Sequence, residues 1–411
     1  GNRHHVPDLW YIFFEMRVAA SVTLLIAFLA PPPCAAQTPS PSPSLDFAGL
    51  VALSATARVD PAFDVLFDLR FIPELKFSLA LSPRLTLDAE ASANAFLATS
   101  LPLPDAHAVD GDVSPYRAWV RLSTSRFEAR VGLQKLSFGS AAIFRPLMWF
   151  DSLDPRDPLQ LTDGVTGLLL RYYPAGNVNL WAWGLCGNSD PRGFDLAPSD
   201  DRTAELGGRA QVPFLRGEIA ATYHRRRADI NGLVFPDTLP PDTPLPLEPV
   251  PEDRFGLDGK WDVGVGLWFE AALVHQRTDL LAAPFHPYQR ALTLGLDYTF
   301  ALGRGLTAVA EHFRFAYAPS AFGSAGDLAL SLTGLLLRYP LGLLDELQGI
   351  FYYDWEGRGL YRFLGWKRTT DALSLSLIVF WNPADPVSLQ LRPAVSSFAG
   401  TGLRLVLAHH F

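Results

Sequence analysis

The sequence predicts an all-β chain, a transmembrane antiparallel up-and-down β-barrel of about sixteen to eighteen strands over residues 46–411. Three observations predict it. Apolar residues recur with period two, and no stretch keeps a helical period or runs apolar long enough for a spanning helix. Connections between the alternating segments are short and long by turns. The chain finishes on "GTGLRLVLAHHF", an alternating strand whose last residue is Phe411.

The N-terminal part is read separately. Residues 16–36 carry one basic residue (Arg17), an apolar run over 18–30, a proline break and small residues before Gln37. That is the layout of a secretory signal peptide, and about thirteen apolar residues fall short of the ~20 a bilayer span needs. Cleavage is expected after Ala36. Residues 1–15, "GNRHHVPDLWYIFFE", precede the signal, and translation is expected to start at Met16. Residues 37–45 form a Pro/Ser-rich linker. Cleavage would remove Cys34 and leave Cys186 alone, which excludes a disulfide framework or a thiolate metal cluster.

Beyond the linker each segment has one apolar and one polar face. In "RFGLDGKWD" Arg254, Asp258, Lys260 and Asp262 alternate with Phe255, Leu257 and Trp261. "AELGGRAQV" sets Glu205, Arg209 and Gln211 against Leu206, Ala210 and Val212, and "YRAWVRLS" sets Arg117 and Arg121 against Ala118, Val120 and Leu122. Strands are placed at 46–57, 71–82, 85–96, 116–123, 127–137, 164–173, 178–187, 203–212 and 217–227. The second half gives 253–261, 266–276, 289–300, 305–315, 328–339, 346–354, 359–368, 372–381 and 401–411. Their length, about ten residues, suits a strand crossing a bilayer at ~45°.

Alternate connections are tight: 82–84, 124–126, 174–177, 213–217, 301–305, 340–345 and 369–371. Those between include 97–115, 138–163, 188–202, 228–252, 277–288, 316–327 and 382–400. A soluble sandwich has no reason to sort loops by length in this way, whereas a membrane barrel does. Tyr172, Tyr173, Tyr223, Trp261, Tyr298, Phe300, Phe315, Tyr339, Trp355 and Trp381 fall near strand ends, where aromatic girdles form.

The closing strand resembles the C-terminal signal of bacterial outer-membrane β-barrel proteins, with Leu403, Leu405, Leu407 and Phe411 carrying the likeness. The resemblance implies an outer-membrane location, recognition by the barrel-assembly machinery, and pairing of the last strand with the first. Gly132, Gln134, Phe138 and Gly139 make a G-x-Q-x-x-x-F-G run, followed by Arg-Pro and Asp-Pro pairs. This segment is similar to porin-like families, including the alginate-export type. It implies a third outer loop folded into the lumen, with Arg145, Asp151, Asp154, Arg156 and Asp157 lining a constriction and setting its field. An alternative left open is that these Arg and Asp residues staple the loop to the inner wall.

Arg117, Arg121, Glu128, Arg130, Glu205, Arg209, Asp258 and Lys260 are expected on the lumen face, together with Asp88, Glu90, Glu218, Arg226, Arg254, Glu270, Asp297, Glu346, Asp354, Arg362, Arg368 and Arg404. Their signs nearly cancel, so the wall alone predicts no strong ion selectivity; neighbouring charges could equally pair and stiffen the barrel. In "YHRRR" His224 and Arg226 would face the lumen, and Arg225 and Arg227 the lipid rim, where Arg suits lipopolysaccharide phosphates. The 228–252 segment is Pro-rich and acidic. A net charge of −8 excludes a nucleic-acid surface.

No G-x-S-x-G, H-E-x-x-H, P-loop or C-x-x-C occurs, so no enzyme, cofactor or metal is expected. The resulting expectation is a porin-like channel for passive diffusion of small hydrophilic solutes. Its expected partners are outer-membrane lipid, lipopolysaccharide, the assembly machinery and the solute; a homo-oligomer is left open. Two other readings are carried: a plugged barrel with a structural or surface-binding role, and a barrel enzyme using His with Ser or Asp near the rim.

Overall fold

Alternation of side chains along each segment is resolved in a computed structural model into eighteen strands. The structure describes residues 43–60, 63–101, 109–195, 197–232, 247–278, 286–324, 326, 328–383 and 398–411. The expected 1–15 extension, the 16–36 signal and most of the 37–45 linker lie outside the described residues, as does much of the 228–252 segment. The strands are β1 (Ser44–Asp60), β2 (Asp64–Ser82), β3 (Leu85–Leu101), β4 (Val109–Ser123), β5 (Phe127–Gln134) and β6 (Val165–Tyr172). Then come β7 (Asn179–Leu185), β8 (Glu205–Phe214), β9 (Gly217–Ala228), β10 (Val250–Asp262), β11 (Gly266–Gln276) and β12 (Tyr288–Phe300). The last are β13 (Leu306–Ala318), β14 (Ala329–Pro340), β15 (Asp345–Asp354), β16 (Leu360–Thr369), β17 (Leu373–Trp381) and β18 (Thr401–His410).

Each strand pairs antiparallel with the next, from β1 with β2 through β17 with β18. Pairing of β1 with β18, in register from Leu50 opposite His410 to Asp60 opposite Thr401, closes the barrel. Closure satisfies the backbone groups that an open edge would leave unpaired in lipid. Phe411 continues the ladder beyond β18, exchanging hydrogen bonds with Gly49 at 3.0 and 3.2 Å. Its ring lies between Phe47 and Phe71, at centroid distances of 5.5 and 6.2 Å, over the bare Cα of Gly49.

All eighteen expected strands are present, and three differences are informative. β1 and β2 extend to Asp60 and from Asp64, so their connection is tight; the 355–359 connection at the same end is also short. β3 and β4 continue to Leu101 and from Val109, into the expected 97–115 loop, where the outward row of Leu97, Thr99, Val109, Gly111 and Val113 stays paired across the ladder although Thr99 and Gly111 interrupt its apolar pattern. The 135–164 connection begins three residues earlier than the 138 expected.

One face of the wall is apolar and exposed: Leu53, Leu69, Val120, Val131, Leu168, Leu257, Leu294, Leu335, Leu364, Leu405 and Leu407 stand on it. The opposite parity points inward. The hydrophobic core is not between sheets but inside the barrel, where the 135–164 connection packs against the wall.

Candidate functional site: the inner wall and its inserted loop

Two wall carboxylates capture the inserted segment. Glu270 on β11 and Glu311 on β13 both project inward and are buried. Glu311 accepts the backbone N–H groups of Ala142, Ile143 and Phe144 at 2.6, 2.9 and 2.8 Å, and the Trp268 indole N–H at 2.9 Å. Glu270 accepts those of Ala141 at 2.6 Å and Leu147 at 3.3 Å. The Thr293 hydroxyl donates to the Phe144 carbonyl at 2.7 Å. Gly139 has φ 99°, and a Cβ there would collide with the Glu270 carboxylate, so glycine at this position serves both backbone and carboxylate.

Apolar contacts complete the seat. Phe138 stacks on Trp183 at 5.9 Å, Phe144 on Phe313 at 5.6 Å, and Ile143, Leu147, Trp149 and Phe150 join the same cluster. On the wall that cluster takes Leu332, Leu336, Ile350, Tyr352, Phe363 and Phe380 of β14–β17. The loop then crosses the lumen. Leu159 and Leu161 pack on Leu50, Ala52 and Ala408 of the closing strands and on Ile72 of β2, and Arg117 of β4 donates to the Thr162 carbonyl at 2.7 Å.

The five loop charges divide. Arg145 and Asp151 pair with each other at 3.0 Å, both buried; Arg145 also donates to Ser137 Oγ and the Phe138 carbonyl at 3.1 Å. This pair ties the loop to itself, not to the wall. Asp154 and Arg156 pair at 2.6 Å, with the guanidinium over the Phe363 and Phe398 rings. Burial works against the Asp154 charge, but Arg156 outweighs it and holds the carboxyl below its ordinary range. Asp157 goes the other way: burial pushes it above the ordinary carboxylate range, only partly offset by the Leu159 N–H and by Arg404. Residues 155–160 roof a cavity of about 510 Å³ at the short-turn end, lined also by Arg338, Glu346, Lys367, Ser374 and Ser376.

Apart from Arg362 and Arg368, the expected lumen charges lie on the inward parity. On β3–β6 Asp88, Glu90, Arg121 and Arg130 stay partly open while Arg117 and Glu128 are buried, and mixed pairs form: Asp88 with Arg121 at 2.9 Å, and Glu128 with Arg130 at 2.9 Å and Arg171 at 3.7 Å. Trp119 lies under Arg121 and Arg130 at 5.7 and 4.6 Å. On β8–β10 Glu218 and Lys260 are exposed and the others are buried: Arg209 pairs with Asp258 at 2.6 Å, and Glu205 meets His224 Nε2 at 2.9 Å. Lys260 lies over Trp268 at 5.9 Å. Arg362 and Arg368 were expected inward and face outward instead, because Tyr361 and Phe363 take the inward parity to join the aromatic cluster. Phe315, expected in a girdle, turns inward and stacks on Phe194 at 5.6 Å.

Sequence reasoning passed over Asp195, Glu252 and Glu311. Asp195, in the 186–204 connection, reaches Arg254 at 2.8 Å and Arg226 at 3.3 Å; Glu252 binds the same two guanidiniums at 2.7 and 2.6 Å. A second connection is thereby held against the inner wall. Parity would have marked Glu252 and Glu311 as inward, but nothing local marks what they bind. Among the described residues no group of three or more His, Cys, Asp or Glu could hold a metal ion.

No protein-family model matches the chain, and no curated protein does. Among solved structures it is similar to OccK5 (OpdH) of Pseudomonas aeruginosa, at TM-score 0.53 and 13% identity, over 90% of this chain and 97% of that one. It is also similar to Salmonella typhi OmpF (TM-score 0.47, 11% identity, 89% and 97% covered) and to the anion-selective porin from Comamonas acidovorans (0.45, 13%, 90% and 100%). The OccK5 likeness bears on the fold alone, which is a closed antiparallel membrane-type barrel.

Proposed function

We propose that this chain is an outer-membrane, porin-like channel for the passive diffusion of small hydrophilic solutes. Its long connections would lie outside the cell, and both chain termini would lie in the periplasm. The observation that carries the reading is the uneven inner wall. The 135–164 loop is seated on the apolar half formed by β11–β17, while the charged half formed by β2–β5 stays partly open beside it. An aqueous route along that charged half would be narrowed by residues 151–162, with Asp154, Arg156 and Asp157 contributing its field. Arg145 and Asp151, paired and buried, would shape the loop. Transport by diffusion needs no turnover and no cofactor.

Single-channel recording in planar bilayers tests the reading. Discrete current steps are expected, with reversal potentials that shift when Asp157 or Arg121 is changed. A folded barrel that passes no current would refute it and favour the second reading, a plugged barrel with a structural or surface-binding role. The observation favouring that second reading is the size of the apolar seat, together with Phe194 of a second connection stacked on Phe313 at 5.2 Å. A homo-oligomer, lipopolysaccharide contact and assembly through the Phe411 strand belong to the same proposal.

A further inference from the structure

The outer wall carries a cluster for which conduction has no use. Arg225 and Arg227 of β9, Arg277 just past β11, and Arg290 of β12 all take the lipid-side parity near the long-loop end. Their neighbours His224, Arg226, Gln276 and Gln289 are buried on the lumen side. The ladder brings them together. Arg225 lies opposite Asp253 and Arg227 opposite Pro251, while the Arg277 N–H donates to the Pro251 carbonyl at 2.8 Å. Arg290 sits opposite Leu273, two residues from His275, which itself faces Asp253.

At the centre is a carboxylate that should not be hidden. Asp253 has the outward parity, yet it is 2% exposed. Arg277 Nε donates to it at 2.6 Å, the Tyr223 hydroxyl at 2.6 Å, and Arg225 Nε stands 4.0 Å away. One buried carboxylate thus orders two guanidiniums while neutralising a single charge. Arg227 donates to the Pro249 carbonyl at 3.2 Å and Arg290 to the Gly323 carbonyl at 2.8 Å; among the described residues neither has a carboxylate within ion-pair distance. Just below, the face turns aromatic and then aliphatic: Tyr223 against Phe255 at 5.2 Å, His275 stacked on Tyr288 at 4.2 Å, then Leu257, Leu292 and Leu294.

A surplus of exposed guanidiniums directly above an aromatic boundary lies at the depth of lipid headgroups, where Arg forks match phosphate oxygens. We propose that Arg225, Arg227, Arg277 and Arg290 form a binding site for the phosphate-bearing headgroup of an outer-leaflet lipid. The proposal rests on the reading that the apolar belt is embedded in a bilayer, and it is independent of whether the lumen conducts.

The test is native mass spectrometry of the full barrel extracted in detergent, titrated with a bisphosphorylated glucosamine lipid and with its dephosphorylated form. Retention of the phosphorylated lipid is expected, weakened about a hundredfold in Arg225→Gln/Arg227→Gln/Arg277→Gln. It should be unchanged in Arg84→Gln/Arg126→Gln, which alters exposed arginines at the opposite end. Should the triple variant lose its heat-modifiable folded form, Arg227→Gln alone, expected to weaken retention about fivefold, reads the same site. Equal retention by wild type and variants, or of both lipids, would overturn the proposal. So would displacement of the lipid by an equal concentration of inorganic phosphate, which would assign the patch to the free anion. Unchanged single-channel current in the same variants would separate failure here from failure of the channel reading.

Discussion

Replacing Glu311 by Ala removes the acceptor of three consecutive backbone N–H groups of the inserted loop and one indole N–H; Ile143, Phe144 and Trp268 are buried, and Ala142 is exposed. A hydrogen bond to a charged group contributes about 1.5–3 kcal/mol net, and such terms add poorly when they share one acceptor. Deleting the carboxylate also relieves its own desolvation, and water from the lumen can reach some of the freed donors. A loss of about 3 kcal/mol in loop anchoring follows, far below what opening the strand ladder would take. The barrel is therefore expected to stay folded, judged by its heat-modifiable mobility in gels, while the loop opens more often. Tryptic cleavage after Arg156, which is about nine-tenths buried, reads that opening directly. When closing is fast relative to cleavage, ~3 kcal/mol corresponds to about a hundredfold faster cutting. Glu311→Gln keeps one acceptor oxygen and should fall between, near tenfold by the same arithmetic. A cleavage rate for Glu311→Ala within about twofold of wild type, equivalent to under ~0.5 kcal/mol, would refute the latch and leave the apolar seat as the whole anchor.

Further outcomes are specific. Because burial raises the Asp157 pKa, its charge should vanish above the pH at which an ordinary Asp is protonated. Anion preference in reversal-potential measurements should therefore grow as pH falls through that raised value, and Asp157→Asn should show the low-pH preference at every pH. Asp258→Ala leaves the buried Arg209 guanidinium without its carboxylate and should cost about 3–5 kcal/mol, seen as a lower denaturant midpoint of the barrel. Phe411→Ala removes the ring between Phe47 and Phe71 and should cost about 3 kcal/mol at the closing seam, lowering the temperature at which the folded form is lost.

Strand number and order were legible because lipid imposes a strict rule: outward residues must be apolar at every second position over the crossing length. That rule fails to report where the outward residue is Thr, Gly or Pro, as at Thr99, Gly111 and Pro115, which is why the long-loop ends of β3 and β4 were read as loop. It also assumes a polar lumen. Tyr361, Phe363 and Phe315 are apolar and inward, so parity judged by chemistry alone placed Arg362 and Arg368 on the wrong face. The loop charges stand out in the sequence as Arg and Asp residues in a proline-punctuated stretch, yet their division into the Arg145–Asp151 pair and the group of Asp154, Arg156 and Asp157 depends on contacts made by the folded loop. The partners of Glu270 and Glu311 lie 129 and up to 169 residues away in sequence, a separation no local pattern encodes.

The inner wall explains its own composition. A water-filled barrel has no use for Phe313, Leu332, Leu336, Ile350 and Phe380 on its inward face, since exposing them to the lumen would cost about 25 cal/mol for each Å² of apolar surface. They are inward because the loop covers them, and the loop stays because they are there. Away from the contacts that Leu159, Leu161 and Thr162 make with Ile72 and Arg117, the inward positions on β2–β5 carry Glu74, Asp88, Glu90, Arg121 and Arg130, which tolerate water. Residue chemistry along the inner wall therefore traces the loop's path in apolar residues and a solvent route in charged ones. Charge changes on β3–β5 should accordingly move ion selectivity, whereas apolar-to-smaller changes on β13–β15 should loosen the loop first and alter selectivity only through it.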